Sequence, residues 1–184
     1  VIISPVSLDD RLKKNLPAKQ AICRKALTLL GAQEVIYLDA GTTIFPLVQL
    51  LDSSPQNHIE VITNDVTIAL ELSRRQIKHV LLGGQMHPVT QSLSGPHTQM
   101  LLGHFIFDIC LISTDSIDPD SNVSCSVSSE AILKRLAIER SKKSVLMATR
   151  EKWRKIAGSF IGDLKDFDYW IIDEALPEIR DACR

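Results

Sequence analysis

Several features that would classify a chain quickly are missing here. The four cysteines, Cys23, Cys110, Cys125 and Cys183, are widely scattered and form no C-x-x-C pair. That spacing excludes a disulfide framework or a zinc ribbon, and cysteine beside apolar segments behaves as a small hydrophobe, so reduced structural thiols are expected. No segment approaches the ~18 consecutive apolar residues that read as a bilayer-spanning helix. The opening VIISPVSLDDRLKK has a very short apolar run followed by two acids, without the basic stretch and long apolar core of a signal peptide. A cytoplasmic location without membrane contact is expected. Positive charge is not in excess either: Lys and Arg number 21 against 22 acids, a formal net charge of -1. Surfaces that neutralise nucleic-acid phosphates are usually strongly basic, so this stretch alone is a poor DNA binder.

The common catalytic and nucleotide signatures are absent as well. G-x-x-x-x-G-K-[ST], G-x-G-x-x-G and G-x-S-x-G do not occur, which counts against nucleotide-binding and α/β-hydrolase readings. His58, His79, His87, His97 and His104 fall into no recognised ligand spacing, so no metal or cofactor is expected. They read as surface or structural side chains, although His87 and His97 flank a loop able to approach a ligand. Trp153 and Trp170 read as packing residues.

What is present fits a single domain over residues 1–184. The length is about that of one domain, and 45% hydrophobic with 23% charged residues is an ordinary globular composition. Residue 1 is Val rather than Met, read here as a sign that the chain is cut from something longer. Short apolar runs at Val35–Leu38, Ile59–Ile62, His79–Leu82, Ile106–Ile112, Ser144–Met147 and Tyr169–Ile172 suit a parallel sheet covered on both faces. Helical patterns lie between them. Pro17 to Leu30 carries Ile22, Ala26, Leu29 and Leu30 on one face, with Gly31 as expected C-terminal cap. Asn64 is expected to cap a helix from Val66, Ser94 or Gly95 one from Pro96, and Ser128 one over Ser129 to Arg140. The sum is an α/β fold of repeated βαβ units: an open, doubly wound, mostly parallel sheet flanked by helices. Asp115 to Ser128 is left as the one long loop.

Ligands of open α/β sheets sit beyond the carboxyl ends of the strands, near the point where strand order reverses. Each strand end here carries small polar residues: Asp39, Gly41, Thr42 and Thr43; Thr63, Asn64 and Asp65; Gly83, Gly84 and Gln85; Ser113, Thr114 and Asp115; then Thr149 and Lys152. A glycine turn opening a helix presents amide hydrogens and partial positive charge, which suits a phosphate. An isolated G-T-T serves equally well as a helix cap, but polar clusters at five successive strand ends fit a small polyhydroxylated anion. Lys152, in TREKWRK, either belongs to a solvated charged stretch or pairs with that anion. Glu130 either complements a helix dipole, worth ~0.3 to 1 kcal/mol, or reaches a sugar hydroxyl.

The ordered series LDAGTT, ITND, LLGGQMHP, SGPHTQMLLGHFIFDICLISTDSID, EAILKRLAIERSKKSVLMATREKW and YWIID resembles the effector-binding domain of the DeoR family of bacterial transcriptional repressors, from about Lys19 to Asp173. The resemblance implies a fold shared with ribose-5-phosphate isomerase and coenzyme A transferases. It implies phosphorylated sugars as effectors, a homo-oligomer, a dimer or tetramer, and a DNA-binding winged helix-turn-helix upstream of this stretch. By position, Gly41, Thr42 and Thr43 resemble the family's D-x-G-T-T turn, Thr63 and Asn64 its T-N, and Gly83 and Gly84 its G-G. Asp115 to Asp118 stands where N-G-I-D is usual, and Lys152 for the lysine of D-x-S-K. Thr149 in place of the usual Asp, and Ser116 in place of Gly, imply a different hydroxyl pattern in the ligand. The expected ligand-binding set is therefore Asp39, Gly41, Thr42, Thr43, Thr63, Asn64, Gly83, Gly84, Asp115, Glu130 and Lys152.

Two enzyme readings compete. A sugar-phosphate isomerase needs a positioned carboxylate base. Against the related isomerase, with its D-G-A-D, K-G-G-G-G and helix glutamate, only Asp115 and Glu130 survive. A coenzyme A transferase needs a nucleophilic glutamate at a strand end, and none of the strand ends supplies one. Ligand sensing without catalysis is the expectation.

Overall fold

A computed structural model describes residues 8–32, 34–51 and 58–174. The elements follow in chain order as α1 (Leu8–Lys13), α2 (Leu16–Leu27), β1 (Val35–Leu38), α3 (Phe45–Val48), β2 (Glu60–Thr63), α4 (Val66–Arg74) and β3 (His79–Leu81). A hairpin of β4 (Gln85–Met86) and β5 (Leu93–Ser94) leads to α5 (Pro96–Leu102) and β6 (Ile109–Ser113). Then come β7 (Ser116–Ile117), β8 (Asn122–Cys125), α6 (Ser128–Glu139), β9 (Ser144–Ala148), β10 (Ser159–Asp163) and β11 (Tyr169–Ile172).

Six strands form one parallel sheet in the order β11-β9-β6-β1-β2-β3. Its strands are apolar on both faces because both faces are covered. Ile36, Leu38, Val61, Leu111, Val145 and Met147 pack with Ile22, Cys23 and Ala26 of α2, Leu47 of α3 and Ile68 of α4. The alternate residues, Tyr37, Ile62, Cys110, Ile112 and Leu146, pack with Leu102 of α5 and Ala131, Leu133 and Ala137 of α6. Period-two alternation thus feeds two cores. The open, doubly wound α/β architecture is the one expected.

The details differ at the helix ends. Helix α2 has Pro17 in its first turn, but stops at Leu27 with Thr28 as its cap. Gly31 is not the cap; its amide donates to Glu34 Oε2 at 2.8 Å. Helix α4 is capped by Asp65, whose Oδ1 accepts from the Ile68 amide at 2.9 Å, rather than by Asn64. The cap of α6 is Val127, so Ser128 is its first residue. Asp115 to Ser128 is not a long loop. It contains β7 and β8, which join β10 in a three-stranded antiparallel sheet, β10-β8-β7. These strands escaped notice because their polar residues are serines that bond one another: Ser116 Oγ and Ser124 Oγ lie 2.9 Å apart, both buried. Cys23, Cys110 and Cys125 are buried free thiols, while Cys183 and the Val1–Ser7 opening lie outside the described residues.

Gly83 and Gly84 serve packing. Thr98 Oγ1 of α5 donates to the Gly83 carbonyl at 2.8 Å. A Cβ on Gly84 would fall 1.9 Å from that hydroxyl and 2.9 Å from the Ser94 carbonyl oxygen. Only a bare backbone lets the β4–β5 hairpin close on α5. Gly84→Ala is expected to destabilise the fold by ~1 to 3 kcal/mol through overpacking, read as a lower midpoint in thermal or urea denaturation.

Candidate functional site

From β1 the chain runs outward through β2 and β3, then returns to the other side of β1 to build β6, β9 and β11. The sheet order therefore reverses between β1 and β6, and their carboxyl ends part to open a crevice. The floor of that crevice is a buried ion pair. Asp39, 1% exposed, accepts from the Ser113 amide and from Ser113 Oγ, each at 2.9 Å, and pairs with Lys134 of α6, 2% exposed. Burial works to lower the Lys134 pKa, but the carboxylates of Asp39 and Glu130 outweigh it and hold the ammonium above its ordinary range.

Above this floor lies a cavity of about 550 Å³, within the range of small-ligand sites. The turn Gly41–Thr43 forms one wall. Gly41 is needed for space, because a Cβ there would meet Ser113 Oγ at 2.1 Å. The turn is braced from below by α2, where Cys23 Sγ donates to the Thr43 carbonyl at 3.1 Å. The amides of Thr42 and Thr43 meet no acceptor among the described residues. Helix α3 follows but has only four residues, too short to give the dipole expected of a phosphate-binding turn.

Side chains supply the positive charge instead. Arg11, Lys14, Lys19 and Lys152 all line the cavity. Lys19, 4% exposed, donates from Nζ to Thr42 Oγ1 at 3.0 Å and also to the Arg11 carbonyl. Burial, with the like charges of Lys152 and Arg11, lowers its pKa from 10.5 to about 8. Burial likewise lowers that of Lys152. Among the described residues, only Lys14 of these four has a carboxylate partner, Glu151 at 2.8 Å.

The opposite wall is acidic and hydroxylic. Asp115 accepts from the Ser126 amide and hydroxyl, each at 2.8 Å. Burial would raise its pKa, but those bonds and the charges of Lys134 and Lys152 hold it below the usual carboxylate range. Glu130 accepts through Oε1 alone, from Thr90 Oγ1 at 3.0 Å and Ser92 Oγ at 2.6 Å, which ties the β4–β5 hairpin to α6. Asp65 also lines the cavity, and burial raises its pKa to about 6. Thr149 lines it too, its Oγ1 buried with no partner among the described residues.

Of the expected set, Gly41, Thr42, Thr43, Asp115, Glu130 and Lys152 come together around the cavity. Asp39 lies beneath it. Thr63, Asn64, Gly83 and Gly84 are not part of its lining. Thr63 Oγ1 accepts from the Asp65 amide at 3.1 Å, and Asn64 bonds Tyr37 Oη and the Leu93 carbonyl, each at 3.0 Å. Arg11, Lys14, Lys19 and Lys134 lie outside the expected set, and His87 is expected only to flank a loop able to approach a ligand. Arg11, Lys19 and Lys134 sit inside helices, Lys14 in the turn between α1 and α2 and His87 in the β4–β5 hairpin, so strand-end reading passes over them.

Comparison with known proteins gives the class. The model of the DeoR C-terminal sensor domain matches residues 14–174, and the chain belongs to that family. It is 30% identical over 157 residues to the uncharacterized HTH-type transcriptional regulator FruR of Bacillus subtilis (strain 168), covering 85% of this chain and 62% of that one. With the deoxyribose operon repressor of Escherichia coli (strain K12) it shares 23% identity over 171 residues, 93% of this chain and 67% of the relative. This chain thus spans about two-thirds of the length of such regulators. Ribose 5-phosphate isomerase A of Methanocaldococcus jannaschii superposes with a TM-score of 0.58 at 14% identity, over 78% of this chain and 57% of that one. That likeness is one of fold.

The floor ion pair can be probed directly. Lys134→Met leaves Asp39 charged, buried and short of a partner, and is expected to cost ~3 to 5 kcal/mol in chemical denaturation. Asp39→Asn combined with Lys134→Met should cost less than Lys134→Met alone, because no uncompensated charge remains.

Proposed function

We propose that the chain is the ligand-sensing part of a transcriptional regulator of sugar metabolism and that its ligand is a phosphorylated sugar. The phosphate would lie on the Gly41–Thr43 turn, where the Thr42 and Thr43 amides, Lys19 and Lys152 converge, and the sugar hydroxyls would donate to Asp115 and Glu130. The observation that carries this reading is a turn with open amides, bonded by the buried Lys19, in a cavity whose lining places Lys152 and Arg11 with the acceptors Asp115 and Glu130. Charge-assisted hydrogen bonds to an oxyanion are the strong ones, and lysine serves phosphate as a point charge. DNA contact would be made by a winged helix-turn-helix outside this chain, in a homo-oligomer facing a symmetric operator.

The same residues argue against turnover. A general base works best with a pKa near the operating pH, and Asp115 is held below the carboxylate range by Ser126. Asp65 comes nearer, at about 6, but its carboxylate is occupied in capping α4. Incubation with pentose and hexose phosphates should raise the melting temperature without forming product. Isomerised product, formed at a rate that Glu130→Gln or Asp65→Asn abolishes, would establish an enzyme instead.

Two binding measurements follow. Lys152→Ala should weaken the sugar phosphate by ~1.5 to 3 kcal/mol in calorimetry, the worth of a hydrogen bond to a charged group. Affinity should also fall as pH rises above about 8, where free Lys19 loses its proton, since the anion selects the charged form. The sign for stability is opposite. The folded-state pKa of Lys19 lies below its ordinary 10.5, so between these values the unfolded chain holds more protons and the ligand-free fold gains stability as pH rises. Lys19→Met should flatten both trends. An unchanged pH profile of binding in that variant would remove Lys19 from the anion site.

A further inference from the structure

Helix α1 stands apart from the other helices in how it is held. None of its residues is buried. It turns into α2 through Lys14 and Asn15, the latter in the left-handed region at φ 54°. Its ties to the domain are polar. Lys19 donates to the Arg11 carbonyl, and Lys14, just past α1, pairs with Glu151 beside Lys152. Yet Leu8 and Arg11, both half-buried, form part of the cavity wall. One ammonium, that of Lys19, thus touches both the α1 backbone and Thr42 of the turn.

We propose that ligand occupancy is communicated to α1: an anion on the Gly41–Thr43 turn draws Arg11 inward and fixes Lys19, so that α1 is clasped to the domain when the cavity is filled and is free to lift when it is empty. This rests on the phosphosugar reading and adds to it a regulatory output.

The physical case is one of charge. In the empty cavity Arg11, Lys19 and Lys152 repel one another, and that repulsion contributes to the lowered pKa of Lys19. Leu8, Arg11 and Leu12 are half-buried and no residue of α1 is fully buried, so the repulsion acts on a helix with little apolar burial to resist it. An anion between the three cations reverses the sign of the force. Segments with few buried contacts open locally at low free energy, and a ligand that must leave before a segment opens suppresses that opening by the factor 1 + [L]/Kd.

The test is hydrogen exchange on the whole chain, read at the α1 amides through Lys14, whose amide donates to the Asp10 carbonyl. Ribose 5-phosphate, glucose 6-phosphate and inorganic phosphate are the probes, each also scored by melting temperature. A probe held at about ten times its Kd should slow α1 exchange about tenfold. In Arg11→Gln, with the probe held at the same multiple of that variant's own Kd, α1 protection should shrink. In Lys19→Met, α1 protection should be lost even at matched saturation. A raised melting temperature with unchanged α1 exchange would overturn the clasp and leave the sensor reading standing. No melting shift with any probe would overturn both. Equal α1 protection in wild type and Lys19→Met would overturn the proposed role of Lys19.

Discussion

The carboxylate of Asp39 is the point on which the rest of the site depends. It sits where β1 and β6 part, in a sheet dry on both faces, and it holds three donors: the Ser113 amide, the Ser113 hydroxyl and the Lys134 ammonium. Each donor comes from an element that would otherwise be free to shift. Ser113 ends β6, Lys134 comes from α6, and Asp39 itself continues β1 through its amide bond to the Leu111 carbonyl at 3.1 Å. Burying two charges is expensive, and an apolar pair of similar volume is often at least as stable. What the ion pair supplies is a fixed separation of two strand ends. Apolar side chains could fill that gap but could not hold it open with polar walls.

A second consequence concerns the electric field in the cavity. Because Asp39 cancels Lys134, the floor is close to neutral, and the field is set by side chains in the walls. A four-residue α3 adds little. On the proposed reading an anion would therefore be held by Lys19 and Lys152 rather than by a helix end, with Arg11 and Lys14 also in the cavity lining. Lysines on flexible stems hold charge without demanding the bidentate geometry of a guanidinium, so such a subsite would suit a phosphate on sugars of different shape. Discrimination would then fall to the acidic wall, where Asp115 and Glu130 line the cavity with Thr149, whose hydroxyl has no partner among the described residues.

Much of this was legible in the sequence, and the misses share a cause. The doubly wound sheet could be read because each strand is apolar on both faces, and Gly41–Thr43, Asp115 and Lys152 because a strand end is a place the eye can find. Thr63, Asn64, Gly83 and Gly84 stand at strand ends too, yet their polar groups are consumed internally by Asp65, Tyr37, Leu93 and Thr98. Strand-end position specifies where a residue is, not what it faces. Lys19 and Lys134 show the converse. Each lies inside a helix pattern that reads as amphipathic, and a lysine there is ordinarily solvated. Only the packing of α2 and α6 against the carboxyl edge of the sheet turns them inward. The serines of β7 and β8 read as loop because hydroxyl residues mark turns in the absence of tertiary partners.

Sensing requires more than affinity, because a ligand that binds two states equally shifts neither. Moving an equilibrium from 1:99 to 99:1 takes a difference of about 5.5 kcal/mol. Contacts to charged groups are worth about 1.5 to 3 kcal/mol each, so about two to four of them, made in one state and absent in the other, reach that figure. The residues of the cavity differ in whether they can supply such a difference. Asp39, Lys134 and Ser113 are locked together in the floor, so a ligand resting on them gains the same contacts in any conformation of the domain. Arg11 and Lys19 act across the joint between α1 and the sheet, where repulsion is present without an anion and relieved with one. On the proposed reading the discriminating energy would therefore fall to the cations that the first two helices bring to the cavity. On that reading, a fold shared with an isomerase would become a switch by what is added at the mouth of its cavity.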